Sequence, residues 1–137
     1  MILRVEHIGI AVNSMTGADD LFSALLGKPN YKHEEVASEK VITSFYGTGE
    51  TKLELLESSS DEGAIAKFLK NRGEGLHHIA FETDNIVEEM NRLKNLGFQL
   101  LSEKPFLGAD NKLVCFIHPK SCKGVLVELC QEISSGK

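Results

Sequence analysis

Val5-Glu6-His7-Ile8-Gly9-Ile10-Ala11-Val12 and Gly75-Leu76-His77-His78-Ile79-Ala80-Phe81-Glu82 are the two stretches whose reading decides the fold. Each is a short apolar run with a central histidine, and each reads as a strand. His7 and His78 stand 71 residues apart. A second echo follows downstream, where Lys52-Leu53-Glu54-Leu55-Leu56 matches Leu126-Val127-Glu128-Leu129-Cys130 at an offset of 74. The distance from strand histidine to strand glutamate is 47 in one half and 50 in the other, a difference that loop length absorbs.

The segments between these anchors repeat as well. After the first strand, Ser14 stands where a helix cap belongs. Met15, Ala18, Leu21, Phe22 and Leu25 then keep helical spacing until Gly27 and Pro29. Strand-like runs follow at 31–36, 41–46 and 51–57, separated by polar or glycine-containing turns. Ser58-Ser59-Ser60-Asp61 reads as a turn and cap for a short connecting helix carrying Ile65, Phe68 and Leu69, which fades at Gly73. The second half opens with its histidine strand. Asp84-Asn85 with Glu88 then caps a helix bearing Ile86, Met90, Leu93 and Leu96, closed by Gly97. Strands are expected at 98–101, 112–118 and 125–130, with a long loop over 103–111. The reading is a single α+β domain over 1–137, built of two tandem βαβββ modules at about 1–57 and 74–133, with a connector helix at about 58–73. First and last strands of each module are expected side by side in a curved mixed sheet.

Composition narrows the function. The 137 residues carry 15 Lys and Arg against 20 Asp and Glu, a formal charge of −5, with 42% hydrophobic residues. No basic stripe suits a nucleic-acid backbone, so no nucleic-acid partner is expected. No apolar run approaches the roughly 20 residues of a membrane span, and the charged start does not read as a secretory segment, which gives no membrane partner and a cytoplasmic location as expectations. Cys115, Cys122 and Cys130 lack Cys-x-x-Cys spacing and are expected reduced and mostly buried.

A lone histidine or carboxylate in an apolar strand usually has an ordinary partner. Four such residues at repeated positions point elsewhere. With first and last strands adjacent, His7, Glu54, His78 and Glu128 are expected to converge on one concave interior. Two imidazoles and two carboxylates without a thiolate suit a divalent ion such as Co, Ni, Mn, Fe or Zn, one per chain, with coordination positions left open. His77 alternates with His78 and reads as structural.

The two modules with histidine and glutamate on their first and last strands resemble the vicinal oxygen chelate superfamily of glyoxalase-like proteins. The resemblance covers nearly the whole chain. Within it, 75–81, Gly108-Ala109-Asp110-Asn111-Lys112 and above all His118-Pro119-Lys120-Ser121-Cys122-Lys123-Gly124-Val125-Leu126-Val127-Glu128-Leu129 look like the methylmalonyl-CoA epimerase family. That resemblance implies metal contact by His7, Glu54, His78 and Glu128, with cobalt as the ion, an acyl-CoA substrate and a homodimer. It implies an isomerase that inverts a carbon between a thioester and a carboxylate through an enolate, with Glu128 as one catalytic acid/base. In at least one family member a glutamate lies on the strand matching 41–46, where Thr43 stands in the best register and cannot act as a base. Glu39 and Glu57 are the nearby carboxylates. Thr43, Lys120 and Ser121 are expected to contact substrate, and Lys32, Lys40 and Lys104 are candidates for the CoA phosphates. Two other readings share the fold: a glyoxalase I type lactoylglutathione lyase, and a metal-free small-molecule binding module.

Overall fold

The structure, a computed structural model, describes residues 1–133. Its elements run in the expected order. The first module comprises β1 (Ile2–Ala11), α1 (Met15–Leu26), β2 (Lys32–Val36), β3 (Val41–Thr48) and β4 (Thr51–Ser58), and α2 (Ala64–Arg72) connects it onward. The second module comprises β5 (Gly75–Thr83), α3 (Ile86–Asn95), β6 (Phe106–Leu107), β7 (Lys112–Ile117) and β8 (Val127–Glu132). The α+β class and the mixed sheet are as read from the sequence: β1 pairs parallel with β4 and β5 parallel with β8, while the other registered pairs are antiparallel. Among the described residues, no helix is long and apolar enough to cross a membrane.

Two compact units share β1. One takes His7–His77, and the other takes Met1–Glu6 with the chain from His78 onward. In the first unit the strand order is β2-β3-β4-β1. One face of this sheet carries Leu53, Leu55, Tyr46, Ile42, Ile10 and Val12 and packs on Met15, Ala18, Phe22 and Leu26 of α1. The opposite face carries Ala11, Val41 and Leu56 at one end, covered by Ile65, Phe68 and Leu69 of α2. Gly27 ends α1 at φ 75°, a left-handed value that costs glycine nothing.

In the second unit the order is β1-β5-β8-β7-β6. Cys115, Ile117 and Leu129 on one face bury Ile86, Met90 and Leu93 of α3. The other face holds Ala80, Val114 and Cys130 with Phe106. The start of α3 is well tied: the Asn85 side chain accepts from the Glu88 N–H at 3.1 Å, and Gln131 of β8 accepts from the Ile86 N–H at 2.8 Å.

Four sequence expectations are corrected. Residues 98–101 form no strand. Leu100 makes one isolated bridge to Ile117, and β6 lies instead at Phe106–Leu107, inside the expected loop, where it pairs with Leu113 and Val114. The capping position of α2 is Gly63, with φ 100°, rather than the serine run, whose hydroxyls bond locally to Ser60 and Glu62. Ser14 occupies the cap position of α1 without a side-chain capping bond. Leu21 and Leu25 of α1 keep helical spacing yet are exposed, and Leu96, just past the end of α3, is exposed as well.

Candidate metal and catalytic site

Strand register explains why each histidine meets its glutamate. In the first unit Gly9 lies opposite Glu54, so His7, two residues earlier on β1, is the diagonal neighbour of that carboxylate. In the second unit Ala80 lies opposite Glu128, and His78 is again two residues earlier. The residue between is small in both cases, which leaves the diagonal open. His7 Nδ1 stands 3.3 Å from Glu54 Oε2, and His78 Nε2 stands 3.2 Å from Glu128 Oε1. All four residues are buried. The His78 ring also meets Phe116 edge-on, with centroids 6.0 Å apart.

These separations fit metal ligation. Two donors each about 2.1 Å from one ion lie about 3.0 Å apart at a right angle and about 3.4 Å apart at a tetrahedral one. Both pairs fall in that interval. Two carboxylates and two imidazoles, buried without a thiolate, are also a set whose surplus negative charge favours a cation. In the second unit burial raises the Cys130 thiol far above its ordinary value, and the Glu128 and Glu6 carboxylates push it the same way.

The remaining candidates divide. His77 packs its edge on the Phe68 ring at 4.9 Å, as fits a structural histidine. Thr43 is buried on β3, on the face of Glu54, since Phe45 opposes Glu54 and Thr43 lies two residues along. Glu57 opposes Ile42 and therefore lies on the α1 face, away from Glu54. Glu39 is exposed in a 3-10 turn, Ala37–Glu39. Lys120 and Ser121 lie in the 3-10 turn Pro119–Cys122. His118 Nδ1 accepts from the Lys120 N–H at 3.0 Å, and Ser121 Oγ accepts from the Gln99 N–H at 2.9 Å. The Ser121 oxygen thus holds the loop, and Gly124 leaves it at φ 92°. Lys40 is paired with Glu62 at 2.5 Å.

Two groups escaped the sequence reading. Lys112, at the start of β7, is buried with its ammonium 3.8 Å from Glu6 and 3.7 Å from Asp110. Lys112 shares the face of Glu128, through the opposed pairs Lys112 with Glu132 and Phe116 with Glu128. Glu34 of β2 lies opposite Thr43. For Lys112 the signal was a charge at the head of the apolar run 113–117, whereas Glu34 stands among charged and polar residues, and in both cases the face is set by register, which one strand alone does not define.

A βαβββ repeat with a His–Glu pair in each half defines a class, and residues 6–116 match the model of the Glyoxalase/Bleomycin resistance protein/Dioxygenase superfamily, to which the chain belongs. Within that class several of its relatives are methylmalonyl-CoA epimerases. The chain is 40% identical to the mitochondrial methylmalonyl-CoA epimerase of Homo sapiens over 129 residues, 93% of this chain and 73% of the relative. It is 38% identical to the ethylmalonyl-CoA/methylmalonyl-CoA epimerase of Cereibacter sphaeroides over 133 residues, 96% of this chain and 99% of the relative. The structure of a Streptomyces coelicolor methylmalonyl-CoA epimerase variant in complex with 2-nitronate-propionyl-CoA superimposes with a TM-score of 0.92 at 30% identity, covering 98% of this chain and all of that one (100%).

Proposed function

We propose that this chain is an isomerase that interconverts the two epimers of methylmalonyl-CoA by removing and returning the α-proton. What carries the proposal is the equivalent, buried His–Glu pair in each module of a chain that is 38 to 40% identical to named epimerases. His7 and Glu54 with His78 and Glu128 are the residues that would hold one divalent ion, cobalt by family resemblance. Such an ion supplies Lewis-acid stabilisation to the thioester oxygen as negative charge develops there, a kind of effect whose loss costs about 2.7 to 4 kcal/mol per donor.

The chain's own residues do the rest. Glu128, buried and steadied by His78 at 3.2 Å, takes the α-proton on one side of the substrate plane. Phe116, Val114, Phe106 and Ala80 line the face around it with apolar surface, which keeps water away from a carbanion-like centre. Thr43 offers a buried hydroxyl on the face of Glu54, and Lys120 an ammonium at the turn leading to β8, for the polar groups of the substrate. The same reading places the protein in the cytoplasm and makes it a homodimer, and sedimentation of the metal-loaded chain measures the latter.

The test is proton exchange. The cobalt-loaded protein is incubated with methylmalonyl-CoA in deuterated water, and α-deuterium incorporation is followed beside epimer interconversion. Metal-dependent incorporation that disappears in Glu128→Ala and His78→Ala is the expected result. Absence of exchange with the metal bound sinks the epimerase reading and moves the glutathione-linked lyase to the front.

A further inference from the structure

We propose that Lys52 binds the free carboxylate of the substrate and so selects a malonyl-type thioester over a plain acyl thioester. The inference rests on the epimerase reading and deepens it. A methylmalonyl group carries a full negative charge next to the reacting carbon, and a second charge develops on the thioester oxygen as the α-proton leaves. Glu54 is itself an anion and repels both. An ammonium beside it offsets that repulsion, since Lys acts on oxyanions as a point charge with three donors.

Strand register puts Lys52 in that place. Directly opposed residues of a paired ladder point to the same face, and residues two apart along a strand share it. On β4, Lys52 lies directly opposite His7 of β1 and two residues before Glu54, whose carboxylate stands 3.3 Å from the His7 ring. Leu53, between them, packs on the α1 side. Lys52 thus shares a face with both proposed ligands, and all three lie inside the compact unit His7–His77. Adjacent strands run about 4.8 Å apart, so the stem of Lys52 starts beside the His7 side chain.

The other flank of Lys52 has room for a ligand group. Its partner on β3 is Gly47, which presents no side chain to this face. A Cβ built at Gly47 would meet no heavy atom of the described residues within 4 Å, its chain neighbours aside. In the next row Phe45, fully buried, fills the place beside Glu54. Lys52 is half-buried, a setting in which a charge contact is screened less than on open surface. The lysines nearby on the chain are placed otherwise. Lys32 stands on the edge strand β2 with its ammonium 4.7 Å from the centre of the Phe45 ring, and Lys40 pairs with Glu62. Lys52 is the lysine of β2 to β4 that opposes a proposed ligand.

The test reads binding rather than turnover. Two probes are titrated calorimetrically into the cobalt-loaded chain and into Lys52→Met: 2-nitronate-propionyl-CoA, whose anionic nitronate stands where the substrate has its carboxylate, and propionyl-CoA, which has neither. Lys52→Met is expected to lose about 10- to 100-fold in affinity for the nitronate, the range of a hydrogen bond to a charged group, and to bind propionyl-CoA as before. Lys52→Arg, which keeps the charge, retains part of the nitronate preference. The cobalt-dependent rise in melting temperature stays that of the unmodified chain in Lys52→Met, which also shows that the variant folds. A diminished rise would make Lys52 a support of the metal ligands and overturns the proposal. Equal losses for the two probes place Lys52 at the CoA portion they share and overturn it as well, as does an unchanged nitronate affinity. Absence of α-proton exchange in the unmodified chain is a different failure, that of the epimerase reading, and the nitronate preference is measured independently of it.

Discussion

Asp19 shows how much of this fold hangs on single polar groups away from the proposed site. Its Oδ1 accepts from Ser44 Oγ at 2.6 Å and Tyr46 Oη at 2.7 Å, and its Oδ2 lies 2.7 Å from His33 Nε2, so α1 is tied to β2 and β3 at one carboxylate. Burial works to raise the Asp19 carboxyl, but the bonds from Ser44, Tyr46 and His33 outweigh it and hold the group below its ordinary value of 3.8. A carboxyl more acidic when folded contributes fully above that ordinary value, and the contribution disappears as pH falls through the lower folded value. Asp19→Asn is therefore expected to lower the urea midpoint at pH 7, with a gap to the unmodified chain that narrows toward pH 3. Tyr46→Phe removes one of these bonds from a buried phenol and is expected to cost about 1 to 2 kcal/mol at neutral pH. A Tyr46→Phe chain as stable as the original would contradict that account.

At the scale of elements, the two module helices make a controlled comparison. α3 begins with a formed cap, Asn85 to the Glu88 N–H, whereas Ser14 at the same place on α1 forms none. Asn85→Ala is expected to destabilise by about 1 kcal/mol and Ser14→Ala by less than about 0.5 kcal/mol, both read by denaturant unfolding. α3 also packs on Leu129, which is 1% exposed between Cys115 and Ile117. Leu129→Ala is expected to cost about 2 to 5 kcal/mol through lost burial and the cavity left behind. Leu129 is the immediate neighbour of Glu128 and faces the other side of β8, so this substitution also lowers metal affinity if a firm helix–strand contact is what keeps Glu128 in place. The serine run before α2 and the expected strand at 98–101 were misread for one reason. Both are short polar-flanked segments whose partners, Gly63 as cap and β7 as pairing edge, lie where local sequence carries no register.

For the whole molecule, the proposed ion links function to stability. A ligand that binds only the folded chain adds about 2.7 kcal/mol when present at 100 times its dissociation constant. Chelation is therefore expected to lower the melting temperature, and cobalt to restore it. His78→Ala and Glu54→Gln remove donors from different units, and each is expected to shrink that metal-dependent shift, measured by calorimetry without substrate. An equal shift in His78→Ala would show the ion binding elsewhere. Within the unit that takes Met1–Glu6 with the chain from His78 onward, Arg4 pairs with Glu82 and Glu6 with Lys112.

The amino-acid sequence by itself determined the repeat, the fold class and the His–Glu set. Those properties follow from local alternation and from recurrence at a fixed offset, and both survive without knowledge of neighbours. The place of Glu34, the exclusion of Glu57 from the face of Glu54, the small residues Gly9 and Ala80 on the His–Glu diagonals and the burial of Lys112 were decided by tertiary structure. Each depends on which residue of one strand stands opposite which residue of the next. A shift of one position would turn every side chain to the other face, and only the assembled ladder selects among those registers.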